Sequence, residues 1–144
     1  MSNRGFTFTE LLLVLTITFT LFATVLIIGR NYTEKQLTEQ AIVQFTLDLY
    51  AVQSHAIGKG ATSKLQFNSN GGGYVGIGDS RQILFRRTFP KGIMISSGSP
   101  LKEIIYTSSG SVDKFGAIQF ISDSGKVFTL RLQFGKGRVI LPEF

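Results

Sequence analysis

The chain has 144 residues, with 15 Lys or Arg against 9 Asp or Glu and a formal net charge of +6, a balance that favours nucleic acid, anionic lipid or wall polymer without choosing among them. That length holds one domain, with little room for a second once the first fifty or so residues are helix. Cysteine is absent, which excludes disulfides and thiolate chemistry, so an exterior domain must stand on its own core.

The N-terminal residues are the most telling. Residues 1–5 are polar and end in Gly5, where an endopeptidase could cut. Arg4-Gly5-Phe6-Thr7-Phe8-Thr9-Glu10 then leads into Leu11-Leu12-Leu13 and an uncharged run to Ile28. Those roughly 18 residues are long enough to cross a bilayer core as a helix. Glu10 heads the run, and a carboxylate deep in lipid costs about 2–3 kcal/mol unless an opposite charge lies nearby. A secretory signal has a shorter apolar core and a small-x-small cleavage site, and no such site follows here. A plain single-span anchor needs neither Gly5 nor Glu10, and a buried helix of a soluble domain is disfavoured by length.

Gly29-Arg30-Asn31-Tyr32 reads as the membrane exit, with Arg30 snorkelling and Tyr32 at interface depth. From Thr33 the pattern becomes amphipathic. Leu37, Ala41, Ile42, Phe45, Leu49, Val52 and Ala56 recur at helical spacing and mark one buried face. Gly58-Lys59-Gly60 ends the helix. An unbroken helix from Phe6 to Ile57 would be about 75–80 Å long.

Beyond Gly60 the apolar period falls to two, with 16 glycines and 3 prolines in the chain to punctuate it. Strands are predicted at Ser63–Asn68, Tyr74–Gly78, Ile83–Phe89, Ile93–Ser96 and Lys102–Thr107, then at Ala117–Ser122, Val127–Phe134 and Arg138–Leu141. Asp123-Ser124-Gly125-Lys126 is a strong hairpin signal between two of them. Phe128, Leu130, Leu132 and Phe134 alternate with Val127, Thr129, Arg131 and Gln133, giving one buried and one mostly wet face. The chain is therefore expected to be α+β: an antiparallel sheet on which the amphipathic half of the helix lays its apolar stripe, since neither buries its face alone. The strand order stays open.

Catalytic machinery is not expected. His55 is the only histidine and lies near the helix end, so it has no second histidine or cysteine with which to hold a metal. Asp79 and Asp123 fall in turns, where aspartate serves local hydrogen bonds. Gly71-Gly72-Gly73 lacks the Lys-Ser/Thr of a phosphate loop. The serines have no base beyond that one histidine, taken to be distant. No cofactor or metal is called for. Arg86, Arg87 and Lys91 form the one basic cluster, a candidate DNA contact through phosphate. Neighbours on a strand face opposite ways, so the three cannot form one patch from that strand alone, and solvated surface charge or pairing with acids on adjacent subunits is the better reading.

The leader, phenylalanine, glutamate and apolar run together resemble the type IV pilin and pseudopilin signature. The resemblance implies that a prepilin peptidase cuts between Gly5 and Phe6 and methylates the amine of Phe6. It implies that Glu10 pairs with the N-terminal amine of a neighbouring subunit during assembly. Residues 1–5 would be the leader, 6–29 the transmembrane and assembly half of the helix, and 30–144 the soluble domain. Within that domain the helix is placed at about 33–57 and the β-rich region at about 61–144.

A looser likeness covers the strands: Phe89-Pro90-Lys91-Gly92-Ile93, Ser109-Gly110-Ser111, Gly125 and Phe134-Gly135-Lys136-Gly137-Arg138-Val139 are similar to the H-type minor pseudopilins. Among these, the ComGD-type competence pseudopilins of Gram-positive bacteria are the most similar. The span lacks the proline often found in major pilins, and the chain lacks their disulfide, which favours a minor subunit. The resemblance implies a non-enzymatic, single-pass protein of the cytoplasmic membrane with its C-terminal domain outside. It would enter a cell-wall filament with other pilins and pseudopilins, served indirectly by an assembly motor and platform. The role implied is DNA uptake; a type II secretion pseudopilin or a minor subunit of an adhesive pilus is the alternative.

Overall fold

The computed structural model describes residues 7–133, 135 and 137–142, and the side chains of these apart from 27–34. One helix, α1 (Phe8–Lys59), precedes eight strands: β1 (Ser63–Phe67), β2 (Gly73–Ile77), β3 (Ile83–Thr88), β4 (Ile93–Ile95), β5 (Glu103–Tyr106), β6 (Gly116–Ser122), β7 (Val127–Leu132) and β8 (Val139–Ile140). The chain divides into two units, Met1–Lys35 and Gln36–Phe144, and α1 contributes to both.

In the second unit α1 buries Thr38, Ala41, Ile42, Phe45, Leu49, Val52 and Ala56, a stripe at intervals of one, three and four. Leu37 is on the exposed side, 38% accessible, and Thr38 takes the buried position next to it. The helix runs two residues past Ile57. It ends in a Schellman motif, in which Gly60 N–H donates to Ile57 O and Ala61 N–H to Ala56 O, both at 3.1 Å. Gly60 holds φ +60°, which a side chain would resist.

The eight strands fall within about two residues of their predicted limits, but they form two four-stranded antiparallel sheets where one was expected. Their orders are β3-β2-β1-β5 and β4-β6-β7-β8. Phe89-Pro90 is the first crossing point: Pro90 has no N–H to continue the β3 ladder, and the chain leaves for the second sheet as β4. Loop 96–102 then returns it to the first sheet as β5, and β6 begins the rest of the second.

Backbone bonds stitch the sheets together. Ile95 N–H, from β4, donates to Gly71 O in the β1–β2 turn at 2.9 Å. Gly71 permits this approach, since a Cβ there would lie 2.3 Å from the Ile95 carbonyl oxygen. Val112 N–H donates to Gly135 O on another side (3.3 Å).

Phe45 joins the three layers. Its ring lies 5.0 Å from Tyr74 of β2 and 5.3 Å from Phe120 of β6, both edge-on, with Phe67 at 6.0 Å and Phe89 at 6.4 Å. With no tryptophan in the sequence, this phenylalanine-rich cluster supplies the large apolar surface of the core.

One turn further along α1, Asp48 is buried at 5% exposure. Its carboxylate accepts from Tyr74 Oη (2.8 Å), Arg87 Nε (3.0 Å) and Gln44 Nε2 (3.1 Å). A buried carboxylate persists only when so paired. Burial first, then the Asp48 hydrogen bond and charge, pushes the Tyr74 phenol far above its usual range. Burial does the same to Tyr106, whose Oη has no hydrogen-bond partner among the described residues.

Phe45→Ala removes the ring that touches helix and both sheets and is expected to cost about 3–5 kcal/mol in denaturant unfolding of the detergent-solubilised chain. Leu47→Ala, at an exposed position, should stay within about 0.5 kcal/mol. Tyr74→Phe should cost about 1 kcal/mol, and Asp48→Ala about 2–3 kcal/mol because it also leaves the Tyr74 hydroxyl buried and unpaired. The phenols set the alkaline limit. Above pH about 10 the unfolded chain loses protons that Tyr74 and Tyr106 keep when folded, so stability falls as pH rises. Absorbance at 295 nm should show two tyrosines ionising only as the fold is lost.

Candidate functional site

Thr7 caps the N-terminus of α1. Its carbonyl accepts from Glu10 and Leu11 N–H at 3.1 Å, and its Oγ1 accepts from Glu10 N–H at 3.3 Å. Thr7-Phe8-Thr9-Glu10 has the spacing of a capping box, a signal that the sequence reading passed over. Glu10 therefore stands in the first helical turn, where unsatisfied N–H groups and the helix dipole favour a negative charge. Gly5 and Phe6, the expected cleavage and methylation positions, lie outside the described residues. The side chains of Arg30 and Tyr32, the expected membrane exit, also lie outside them.

Phe8–Leu26 is a 19-residue stretch with mean hydropathy 2.0 and no buried residue. Leu11, Leu12, Leu13, Ile17, Phe19 and Phe22 are all half-exposed or more. Five threonines interrupt this surface chemically, Thr9 in the first turn and four beyond it. Thr16, Thr18, Thr20 and Thr24 each donate to the carbonyl four residues back at 2.8–2.9 Å. Beyond its first turn the stretch can therefore enter an apolar medium without unsatisfied hydroxyls.

The basic cluster is divided by the fold. Arg87 points inward to Asp48 and lies over the Phe85 ring, its guanidinium carbon 5.7 Å from the centroid. The Asp48 hydrogen bond, then its charge, raises the Arg87 pKa above the usual value. Arg86 sits opposite Val75 on the other face of the same sheet, and Lys91 is exposed in the turn after β3. The acid that holds Arg87 belongs to its own chain. Asp48 was not singled out in the sequence, though its place beside Phe45 and Leu49 on the buried stripe was the available signal.

His55 is closer to a serine than expected: Nδ1 is 3.0 Å from Ser63 Oγ. The pair has no opening for a substrate, because Ser63 is 1% exposed. No carboxylate bonds the ring among the described residues, which removes the third member that a nucleophilic arrangement uses. The contact ties the end of α1 to the start of β1. No group of three metal-ligating side chains occurs among the described residues.

No family model matches the sequence, and no curated protein matches it. Solved structures do match in fold. The type IV minor pilin FimU of Pseudomonas aeruginosa aligns with a TM-score of 0.63 at 16% identity, over 78% of this chain and 92% of FimU. The minor pseudopilin EpsH of the Vibrio cholerae type 2 secretion system aligns with a TM-score of 0.54 at 14% identity, over 72% of this chain and 94% of EpsH. A long N-terminal helix leading into an antiparallel β domain is thus a fold that this chain shares with a type IV minor pilin and a minor pseudopilin.

Proposed function

We propose that this protein is a minor pilin or pseudopilin, a structural subunit of a membrane-anchored filament rather than an enzyme. The observation that carries the reading is a pilin-like fold whose helix begins, a few residues after Gly5-Phe6, with Glu10 and a fully exposed apolar surface. In this reading a prepilin peptidase cuts after Gly5 and methylates Phe6. The protein is held in the cytoplasmic membrane by residues 6–29, with its C-terminal domain outside, until it enters a filament with other pilins. Glu10 then meets the free amine of a neighbouring subunit, and the ion pair lowers the cost of carrying a carboxylate into an apolar bundle.

The finer reading is a ComGD-type minor pseudopilin of a Gram-positive competence filament, supported by the strand-region residues from Phe89 to Val139. A type II secretion pseudopilin or a minor adhesive-pilus subunit is the second reading, favoured by the folds of EpsH and FimU. DNA is an indirect partner here, because the charge of Arg87 is paired with Asp48 and Arg86 lies on the opposite face. Loss of transformation without loss of secretion in a deletion strain selects the competence reading; the reverse selects secretion.

Co-expression with a prepilin peptidase should yield a chain that begins at Phe6 and carries one added methyl group by mass spectrometry. Gly5→Leu should stay uncut in the membrane. Glu10→Ala should be cut normally yet enter filaments about tenfold less, the consequence of losing on the order of 1.4 kcal/mol of pairing. Normal incorporation of Glu10→Ala would remove the pairing role, and a mature chain that starts elsewhere would remove the whole reading.

A further inference from the structure

Among the described residues, most sheet edges of the C-terminal unit are closed. The β1–β2 turn covers β4, because Ile95 N–H donates to Gly71 O. The segment after β5 folds back over it, with Asp113 N–H donating to Ile105 O (3.0 Å) and Tyr106 bridged to Val112. β8 is two residues long, too short to template a partner, and leaves only the uncharged Val127–Leu130 stretch of β7 without a strand on that side. β3 differs: it is the outermost strand of its sheet, six residues long, and exposed from Arg86 to Thr88.

The register fixes which groups are free. Gly73 faces Thr88, and Phe89 N–H donates to Gly72 O, so that pair is the non-bonded kind. Antiparallel ladders alternate, which turns the N–H and C=O of Arg87 toward β2 and those of Arg86 and Thr88 outward. Beside this edge lies a groove of about 280 Å3, apolar from Ala41, Phe89 and Pro90 and polar from Gln40, Gln44 and Arg87. Arg87 donates only Nε to Asp48, so its terminal amino groups stay available at 48% side-chain exposure.

We propose that β3 is a strand-addition site for an extended acidic segment of another polypeptide, which pairs with Arg86 and Thr88 and places an apolar side chain in the adjoining groove. Backbone bonds give such complexes affinity, and alternate side chains give them specificity. The occupant's charge follows from the edge: Arg86 on it and Lys91 in the turn after it are exposed cations, while Arg87 and Asp48 cancel as a pair and leave only guanidinium N–H donors. A second copy of β3 would set arginines against arginines, so self-pairing is opposed and a carboxylate-bearing strand is favoured. The proposal does not depend on filament membership.

The test uses the full chain in detergent micelles and a fluorescein-labelled peptide that alternates valine and glutamate. Saturable binding is expected, with the Arg86 and Thr88 amides newly protected from hydrogen exchange. N-methylation of the peptide amides that face β3 should abolish binding, and methylation of the alternate set should leave it unchanged. Arg86→Pro removes an outward N–H without touching the β2 ladder and should weaken binding about tenfold at unchanged circular dichroism. Absence of saturable binding, equal binding of a valine–lysine peptide, or indifference to which amides are methylated would each overturn the proposal and leave the arginines as a guard against aggregation.

Discussion

The C-terminal unit depends on one constraint: the stripe of α1 around Phe45 must be covered from two directions. A helix face about a hundred degrees wide is too broad for a single short strand pair to bury. The chain answers with two small sheets that meet over the Phe45 ring, Tyr74 and Phe67 from one and Phe120 from the other. Phe89 fills the seam where the chain crosses between them, 5.6 Å from Phe120 and 5.2 Å from Tyr74. In a domain without disulfides, this aromatic contact holds the layers in register.

Asp48 adds what dispersion cannot. Ring contacts are satisfied over a range of offsets and tilts, whereas a buried carboxylate accepts its donors in few geometries. Tyr74 Oη and Arg87 Nε arrive from adjacent strands, so the same carboxylate fixes both β2 and β3 against the helix. This explains why an arginine that reads as surface charge in the sequence is structurally committed.

Periodicity made much of the fold legible and then ran out for a physical reason. The change from all-round apolarity to a stripe located the two stretches of α1, and period two located eight strands. The spacing of apolar residues reports which face of an element is buried but not which element covers it. Two sheets and one therefore look alike until strand pairing is known. The same limit hid Asp48 and the His55–Ser63 contact, since both depend on residues far apart in sequence meeting across the core. Leu37 fits the stripe by spacing yet lies outside, because Thr38 occupies the position nearer the core. At the N-terminus, the role of Thr7 as a cap was missed although its spacing to Glu10 was visible.

The pairing proposed for Glu10 need not compete with its place in the helix. As the third residue of a capped helix, it is favoured by the free N–H groups of the first turn even in an isolated chain. That same placement keeps the carboxylate in the first turn of α1, beside the backbone N–H groups that no carbonyl fills. A carboxylate four or five residues further on would lie among Val14 and Leu15, flanked by apolar side chains on every face, with no backbone donor to offset its desolvation. The position of the acid is therefore constrained by the helix itself. An inter-subunit role for Glu10 draws on a charge that the capped terminus already tolerates.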